Sequence, residues 1–326
     1  MRVHRGNGAI PDEASGCAVA IGNFDGVHRG HRAVIEAARA RSASAGRLGV
    51  VTFEPHPREV LSPATAPLRL TPLRRKMTLL RELGIAHLFL LRFDQSLMAM
   101  PAQAFVERIL VGRLQVRALA AGEAFRFGHR RQGDAAFLAS VAATHGFAFD
   151  AVPPVVVDGL PCSSTRIREA LRAGELLLAN RLLGHPFQLS GIVREGERRG
   201  RTIGFPTANI ALHSARQALP AIGVYVVRAG RCTPHGMVWY PGVANLGRRP
   251  TFDGDRLLLE VHLLDARVDL YGERLDVAFL EHLRGEERFS GIEALKAQIA
   301  KDCSAARRTH ERLNARGTGP AAGAVG

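Results

Sequence analysis

Two histidines bracket a glycine-rich turn near the beginning of the chain. Residues 22–31 have the sequence GNFDGVHRGH, which follows a short apolar run and precedes a helical pattern. Glycine lets a backbone turn sharply and approach a ligand closely, and the free N–H groups at the beginning of the next helix suit a phosphate. Both imidazoles can donate hydrogen bonds to phosphate oxygens. The pattern predicts a phosphate-binding turn that contains Gly22, Phe24, Gly26, His28, Gly30 and His31.

A second group of anion-binding side chains lies in residues 163–168, which read SSTRIR at the beginning of a predicted helix. Hydroxyls, free backbone N–H groups and arginine forks together form an anion site. The alternative is an ordinary helix cap with two surface arginines. Because the histidine pair lies in the same half of the chain, we favour an anion site with Ser163, Ser164, Thr165, Arg166 and Arg168.

The second half carries a basic glycine-rich loop that is followed by the string GFPTAN at residues 204–209. Thr207 and Asn209 lie two residues apart, so on an extended chain their side chains share one face. A hydroxyl and an amide oxygen are hard ligands that suit Mg²⁺ bound together with ATP. A turn that satisfies its own backbone is the alternative.

A single carboxylate lies within a strand-like run at 257–263. Alternation along the strand places Leu257, Leu259 and Val261 on one face and Glu260 with His262 on the other. A carboxylate on the less apolar face is a candidate general base, and such a base contributes about 10²–10⁴-fold to a rate. The alternative is a glutamate on an exposed face, and the pattern alone leaves both open.

The elements that must position these residues differ between the two halves. The first half predicts strands at 17–21, 48–53, 86–92, 116–121 and 147–152, with helices at 31–41, 72–83, 101–111 and 134–145 between them. This alternation is typical of an α/β fold with a parallel sheet, in which ligands lie beyond the carboxyl ends of the strands. Two short helices at 165–173 and 175–183 follow, and we expect the first domain to span 1–184.

The second half predicts strands at 189–194, 223–228, 236–240, 257–264 and 274–279, separated by turns, and a helix at 292–299. This pattern is typical of an antiparallel barrel or sandwich with a C-terminal helix. We expect this domain to span 185–315 and residues 316–326, which are rich in glycine and alanine, to form a disordered tail.

Composition bounds the class of protein. The formal charge of +14 favours anionic partners, including nucleic acid, but aromatic residues make up only 6%, few for a base-stacking surface. The four cysteines form no CxxC pair, which argues against a zinc site or a disulfide framework. Without a signal peptide or an apolar run of membrane-spanning length, we expect a cytoplasmic protein with no membrane contact.

The first half resembles the FAD synthetase module of bacterial bifunctional riboflavin kinase/FAD synthetases. The resemblance rests on the HxGH turn typical of nucleotidylyltransferases, the string VTFEPHP at 51–57, GEAFRFG at 122–128 and SSTRIR. It implies a Rossmann-like nucleotidylyltransferase domain in which ATP phosphates contact His28, His31, Ser164, Thr165, Arg166 and Arg168. It also implies that the nucleotide side includes Phe127 and Gly128, and that the flavin side includes Phe53, Pro55, His56 and Pro57.

The second half is similar to the riboflavin kinase domain of the same family, through GRTIGFPTANI, GVANLG at 242–247, EVHLLD at 260–265 and DLYG at 269–272. The resemblance implies that Thr207 and Asn209 bind Mg²⁺ with ATP, and that Glu260 accepts the proton of the ribityl hydroxyl. It implies further ATP and flavin contacts at Gly200, Arg201, Gly204, Phe205, Pro206, Asn245 and Arg284.

Together the two resemblances imply a two-step enzyme. Riboflavin and ATP would give FMN and ADP in the second domain, and FMN and ATP would give FAD and pyrophosphate in the first, with Mg²⁺ at both sites. One position departs from the family, because Ala124 stands where relatives usually carry Asp or Asn. One alternative is therefore a riboflavin kinase with a weakened adenylyltransferase half. A basic nucleic-acid-binding protein is the more remote alternative, and we expect no nucleic-acid partner.

Overall fold

The computed structural model describes residues 1–6, 8–195, 203–212, 216–251, 254–266 and 268–315. The chain forms two compact units, Met1–Ser164 and Thr165–Gly326. The predicted domain boundary at 184/185 stays a prediction. The predicted contacts of Gly200 and Arg201, and the predicted tail at 316–326, lie outside the described residues.

The first unit is built on a sheet of parallel strands, as the sequence predicts. Its strands are β1 (Arg2–Arg5), β2 (Ala18–Ile21), β3 (Leu48–Glu54), β4 (His87–Arg92), β5 (Ala118–Gly122) and β6 (Ala148–Val152). Across the sheet they lie in the order β1-β4-β3-β2-β5-β6. The central strands β2 and β3 are buried on both faces, which explains their uninterrupted apolar sequence. Strand β1 was not predicted, because its charged residues lie at an exposed edge of the sheet.

Helices flank this sheet and bury an apolar cluster on each of its faces. They are α1 (Arg29–Ala40), α2 (Pro57–Leu61), α3 (Leu73–Glu82), α4 (Gln95–Ala99), α5 (Ala102–Phe105) and α6 (Ala135–His145). The predicted helix at 101–111 is α5 followed by a π-helical segment, Val106–Arg113. Asp94 and Asp134 begin α4 and α6, since each carboxylate accepts a backbone N–H of the first turn. A short hairpin of β7 (Val156–Val157) and β8 (Leu160–Pro161) follows β6.

Two helices lead from the sheet unit to the barrel, α7 (Ser164–Arg172) and α8 (Leu176–Leu183). Each is followed by a glycine with a positive φ, Gly174 at 78° and Gly184 at 75°, as the sequence predicts for helix ends. The Asn180 side chain on α8 fixes this helix to the barrel, because its amide donates to the carbonyl of Phe279 at 2.9 Å and its oxygen accepts the N–H of Phe187 at 2.8 Å.

The second unit contains a closed antiparallel barrel, so of the two predicted arrangements the barrel is confirmed. Its strands are β9 (Phe187–Arg194), β10 (Ala208–Leu212), β11 (Gly223–Thr233), β12 (Gly236–Thr251), β13 (Gly254–Leu263) and β14 (Arg274–Arg284). Around the barrel they lie in the order β10-β13-β12-β11-β14-β9. Strand β10 was not predicted, and β11 and β12 are longer than predicted because they form one continuous hairpin in register from Thr233↔Gly236 onwards.

The C-terminal helix α9 (Ile292–Ala315) is much longer than the predicted 292–299. It buries Cys303 and Ala306 in one cluster with Val224 and Val243 of the barrel. Among the residues that the structure describes, no helix is both long enough and apolar enough to cross a membrane.

Candidate active sites

The turn after β2 is held in an unusual backbone conformation. Phe24 and Val27 have positive φ values of 49° and 42°, and Gly26 has 96°. The buried Asp25 carboxylate accepts the backbone N–H groups of residues 70 and 71 at 3.0–3.2 Å. Because β-branched residues avoid positive φ, this turn persists only where the surrounding structure determines it, which is common at ligand sites.

His28 and His31 lie together at the beginning of α1. The Nδ1 of His28 accepts the backbone N–H of His31 at 3.3 Å, so His28 is the helix cap. The two rings stack with their centroids 3.6 Å apart. A side chain at Gly30 would bring its Cβ to 3.2 Å from the His28 ring, a tight contact that favours glycine between the two histidines.

Electrostatics keep the His31 imidazole neutral. Burial lowers its pKa well below the ordinary value, and the neighbouring His28 and Lys76 lower it further. Its Nδ1 has no hydrogen-bond partner within the described part of the chain. A neutral, buried imidazole of this kind can donate or accept one hydrogen bond to a ligand at the end of β2.

The predicted anion segment begins beside the same turn. The Ser164 hydroxyl donates to the backbone carbonyl of Asp25 at 2.8 Å, so the first residue of α7 contacts the histidine turn directly. Cys162 also lies here, with its Sγ 3.6 Å from Nδ1 of His28. Ser163 lies between these two residues, and Thr165, Arg166 and Arg168 follow in α7. The ligand contacts assigned to them stay predictions.

Three of the four predicted flavin-side residues follow the end of β3, and the fourth, Phe53, lies within this strand. Pro55 is exposed, and Pro57 is the first residue of α2. His56 caps α2 through its Nδ1, and burial lowers the pKa of this histidine to about 4. The Phe53 ring, in contrast, is buried in the sheet core next to the ring of Phe105. A flavin contact at Phe53 would therefore involve little of its side chain.

Three further predicted residues have structural reasons for their identity. The Phe24 ring is fully buried, so only its backbone is available to a ligand. The Phe127 ring is 7% exposed and stacks on Phe125. At Gly128, a Cβ would lie 2.7 Å from backbone atoms of Ala102, and φ is 73°. Packing therefore accounts for these identities without a ligand, and their nucleotide contacts stay predictions.

One residue of this site was missed by the sequence analysis. Lys76 on α3 is 3% exposed, and its Nζ donates to the backbone carbonyl of Asn23 at 2.7 Å. A signal was present, because Lys76 falls on the apolar face of its helix together with Leu79 and Leu80. A lysine at such a position is rarely buried without a partner.

In the barrel, the predicted residues form a row across neighbouring strands. The pairs Arg194↔Asn209, Asn209↔Glu260, Glu260↔Asn245, Asn245↔Val224 and Val224↔Arg284 lie directly opposite one another. Directly opposite residues share one face of a sheet. The barrel thus brings Asn209, Asn245 and Arg284 onto the same face as Glu260, although they are distant in sequence.

Two cavities share a wall next to this row. One has a volume of about 630 Å³, and the row lines it with Val224, Asn245, Glu260 and Arg284. The other has a volume of about 1190 Å³ and is lined by strand ends and the segment 204–208, including Gly204 and Pro206. Three residues line both cavities, namely Phe205, Thr207 and His262. Asn209 lies beside Glu260 in the row, but neither lining includes it.

The junction between the cavities is fixed by a hydrogen bond that the sequence analysis did not predict. Nδ1 of His262 donates to the carbonyl of Pro206 at 2.8 Å, and its ring meets the edge of the Phe205 ring at a centroid distance of 5.6 Å. This bond places the proton of a neutral His262 on Nδ1. It holds the segment that carries Thr207 against β13.

An ion pair forms part of the wall of the smaller cavity. Nη2 of Arg284 lies 2.8 Å from the Asp302 carboxylate on α9, with side-chain exposures of 16% and 8%. Nε of Arg284 also donates to this carboxylate, which accepts a third hydrogen bond from Gln298 at 2.9 Å. The Arg284 guanidinium lies 5.7 Å from the centre of the Phe289 ring. Arg284 thus has its charge satisfied inside the protein.

A parallel α/β unit with an HxGH turn, followed by a closed barrel with a carboxylate in the wall of a cavity, defines a nucleotide-dependent transferase with two separate sites. The family models agree with this class. Residues 10–166 match the model described as FAD synthetase, and residues 183–310 match the model described as riboflavin kinase.

Curated relatives cover nearly the whole chain. Bifunctional riboflavin kinase/FMN adenylyltransferases from Pseudomonas fluorescens (46% identity; 94% of this chain, 97% of the relative) and Escherichia coli K12 (45%; 88% and 90%) are among them. A crystal structure described as a macrolide-efflux protein from Streptococcus pneumoniae is also similar, with a TM-score of 0.80 and 31% identity over 90% of this chain and 94% of the other. The chain belongs to the family of bifunctional riboflavin kinase/FMN adenylyltransferases.

Proposed function

We propose that this chain phosphorylates riboflavin with ATP in the barrel and adenylylates the resulting FMN with a second ATP in the parallel-sheet unit. Membership of the family supports both activities and their order along the chain. The observation that carries the kinase assignment is the position of Glu260 in the cross-strand row, where its side chain lines the smaller cavity.

In the kinase step, riboflavin occupies the smaller cavity and ATP the larger one, so that the ribityl 5′-hydroxyl lies between Glu260 and the γ-phosphate. Glu260 takes the hydroxyl proton as the oxygen attacks the γ-phosphorus, the bond to the β-phosphate oxygen breaks, and ADP leaves. Asn245, next to Glu260 in the row, lines the smaller cavity and orients the reacting hydroxyl. Positioning of this kind supplies most of the rate in phosphoryl transfer.

Thr207 and Asn209 would hold the Mg²⁺ ion of the kinase site. Their side chains make no hydrogen bond to other residues within the described ranges, and Thr207 lines both cavities. Uncommitted hydroxyl and amide oxygens fit a hard cation whose remaining ligands are ATP oxygens and water. The ion would neutralise charge on the β- and γ-phosphates. A Thr207→Val variant should therefore need a higher Mg²⁺ concentration for half-maximal FMN formation.

In the adenylyl step, a phosphate oxygen of FMN attacks the α-phosphorus of ATP, the α–β bridge bond breaks, and pyrophosphate leaves. No protein nucleophile takes part. His28, His31 and the N–H groups at the beginning of α1 hold the ATP phosphates, together with Ser163, Ser164, Thr165, Arg166 and Arg168. Preorganised donors of this kind are worth about 3–4 kcal/mol of barrier each. Mg²⁺ would accompany the ATP here as well.

A weakened adenylyl step is the second candidate, and Ala124 is the observation that favours it. Ala124 is exposed in the turn that follows β5, at the edge of the sheet where ligands bind in α/β folds. A methyl group at this position makes no hydrogen bond to a substrate, whereas the Asp or Asn typical of the family can.

One assay separates these assignments. The full chain is incubated with riboflavin, ATP and Mg²⁺, and FMN and FAD are followed separately. Steady FAD formation supports two working sites, whereas FMN that accumulates without FAD supports the weakened alternative. A Glu260→Gln variant should lose FMN formation about 10²–10⁴-fold but still convert added FMN to FAD. Retention of a duplex or single-stranded nucleic-acid probe at low salt, with neither product formed, would favour the nucleic-acid alternative instead.

A further inference from the structure

Lys76 is a buried cation bound to the turn that precedes the histidine pair. Its Nζ lies 2.7 Å from the carbonyl oxygen of Asn23, and the Thr52 hydroxyl donates to the same oxygen at 3.2 Å. The two donors come from α3 and β3, whereas Asn23 belongs to the turn after β2. One backbone carbonyl is thus fixed from two separate elements of the fold.

The charge of Lys76 has a cost that packing alone does not explain. Burial lowers the pKa of Lys76, while the charges of Asp25 and Glu54 act in the opposite direction. An apolar side chain of the same length would fill the space without this desolvation cost. The position on an otherwise apolar helix face therefore points to a role for the ammonium group itself.

The turn needs such an anchor because its backbone is strained. Phe24 and Val27, which follow Asn23, have positive φ values, and His28 comes directly after them. Rotation of the Asn23 peptide would therefore move the two imidazoles and the first N–H groups of α1. A displacement of about 1 Å in a positioning group can cost roughly 10²-fold in rate.

We propose that Lys76 is a positioning residue for adenylyl transfer, whose buried ammonium group fixes the Asn23 carbonyl and thereby the backbone conformation of residues 22–28. This inference rests on the proposed function of the parallel-sheet unit. Lys76 itself touches neither ATP nor FMN; it acts through the turn. Its loss should therefore lower kcat for FAD formation more than it raises KM for ATP.

The test compares three variants of the full chain. Lys76→Met keeps the length of the side chain but removes the charge and the donor, and Lys76→Arg keeps both. Arg74→Met, on the exposed side of the same helix, removes a cation without contact to the turn. We expect Lys76→Met to lower kcat for FAD formation about 10²-fold, Lys76→Arg to recover most of it, and Arg74→Met to match the wild type.

Riboflavin phosphorylation in the same preparations is the internal control and should be equal in all of them. If Lys76→Met keeps at least a third of the wild-type kcat, or if Lys76→Arg is as impaired as Lys76→Met, the proposal is wrong. Where the melting curve shows that Lys76→Met does not fold its first unit, Thr52→Val decides: a lower kcat with unchanged KM supports the proposal, and wild-type kinetics overturn it. A wild-type chain that makes FMN but no FAD would overturn the adenylyl assignment instead.

Discussion

Replacement of Arg284 by methionine should destabilise the barrel by about 3–5 kcal/mol, the usual effect of breaking a buried ion pair. The partner Asp302 is only 6% exposed. In the variant its carboxylate would keep the hydrogen bond from Gln298 but lose all those from Arg284. Most of the cost is therefore the desolvation of a negative charge that no cation balances.

The barrel has its own spectroscopic probe. Trp239, the single tryptophan of the chain, lies on β12 with its ring against Gly230 of β11. Urea unfolding followed by tryptophan fluorescence therefore measures the second unit alone. The matched control is Arg307→Met, whose pair with Asp265 has the same 2.8 Å distance but exposures of 46% and 69%. We expect the free energy of unfolding of this control variant to fall by at most about 1 kcal/mol.

A double variant checks the explanation. Arg284→Met combined with Asp302→Leu removes both charges, and it should be about 2 kcal/mol or more stable than Arg284→Met alone, since no unpaired charge stays buried. If Arg284→Met loses no more than Arg307→Met, or if the double variant is no better than the single one, the wall of the smaller cavity does not depend on this pair.

Three further predictions concern the first unit. Gly128→Ala should lower the free energy of unfolding by about 2–5 kcal/mol, because the new Cβ meets the Ala102 backbone and the φ of this residue is positive. A thermal transition within 2 °C of wild type, measured by far-UV circular dichroism, would contradict this. Ala124→Asn should raise kcat/KM for FMN up to about tenfold through one new hydrogen bond, and unchanged FAD formation would remove the idea of a weakened step. The folded pKa values of His31 and His56 are lowered, so the unfolded chain takes up protons first as the pH falls, and the free energy of unfolding should decrease from about pH 6.5 towards pH 4. A His56→Gln variant should show a smaller decrease in urea titrations at these pH values.

The parallel sheet could be predicted from the sequence because its central strands are buried on both faces. Apolar runs such as β2 and β3 have few alternatives within an α/β pattern. The edge strand β1 was missed, since half-exposed and charged residues carry no burial signal and its pairing with β4 is a tertiary contact. Strand β10 was missed for a related reason: Pro206 and Asn209 favour a turn locally, and the pairing with β9 and β13 overrides this preference.

The candidate sites were predictable where the chemistry is local. The HxGH turn and the alternation around Glu260 are patterns within a few residues, whereas the contact of Ser164 with the turn joins residues that are 139 positions apart. The bond from Lys76 to Asn23 joins residues that are 53 positions apart, and the pair of Glu260 with Asn245 depends on strand register. Neither spacing nor composition contains that information.

The barrel and the parallel sheet differ in whether they have an open edge to which another strand could be added. The barrel closes on itself, so each of its strands is paired on both sides and offers no template for strand addition. The parallel sheet ends at β1 and β6, and on β6 Asp150 forms two hydrogen bonds with Arg41 at the end of α1. A second chain that added a strand there would have to desolvate this ion pair. Self-association through backbone pairing should therefore begin at the open sheet rather than at the barrel.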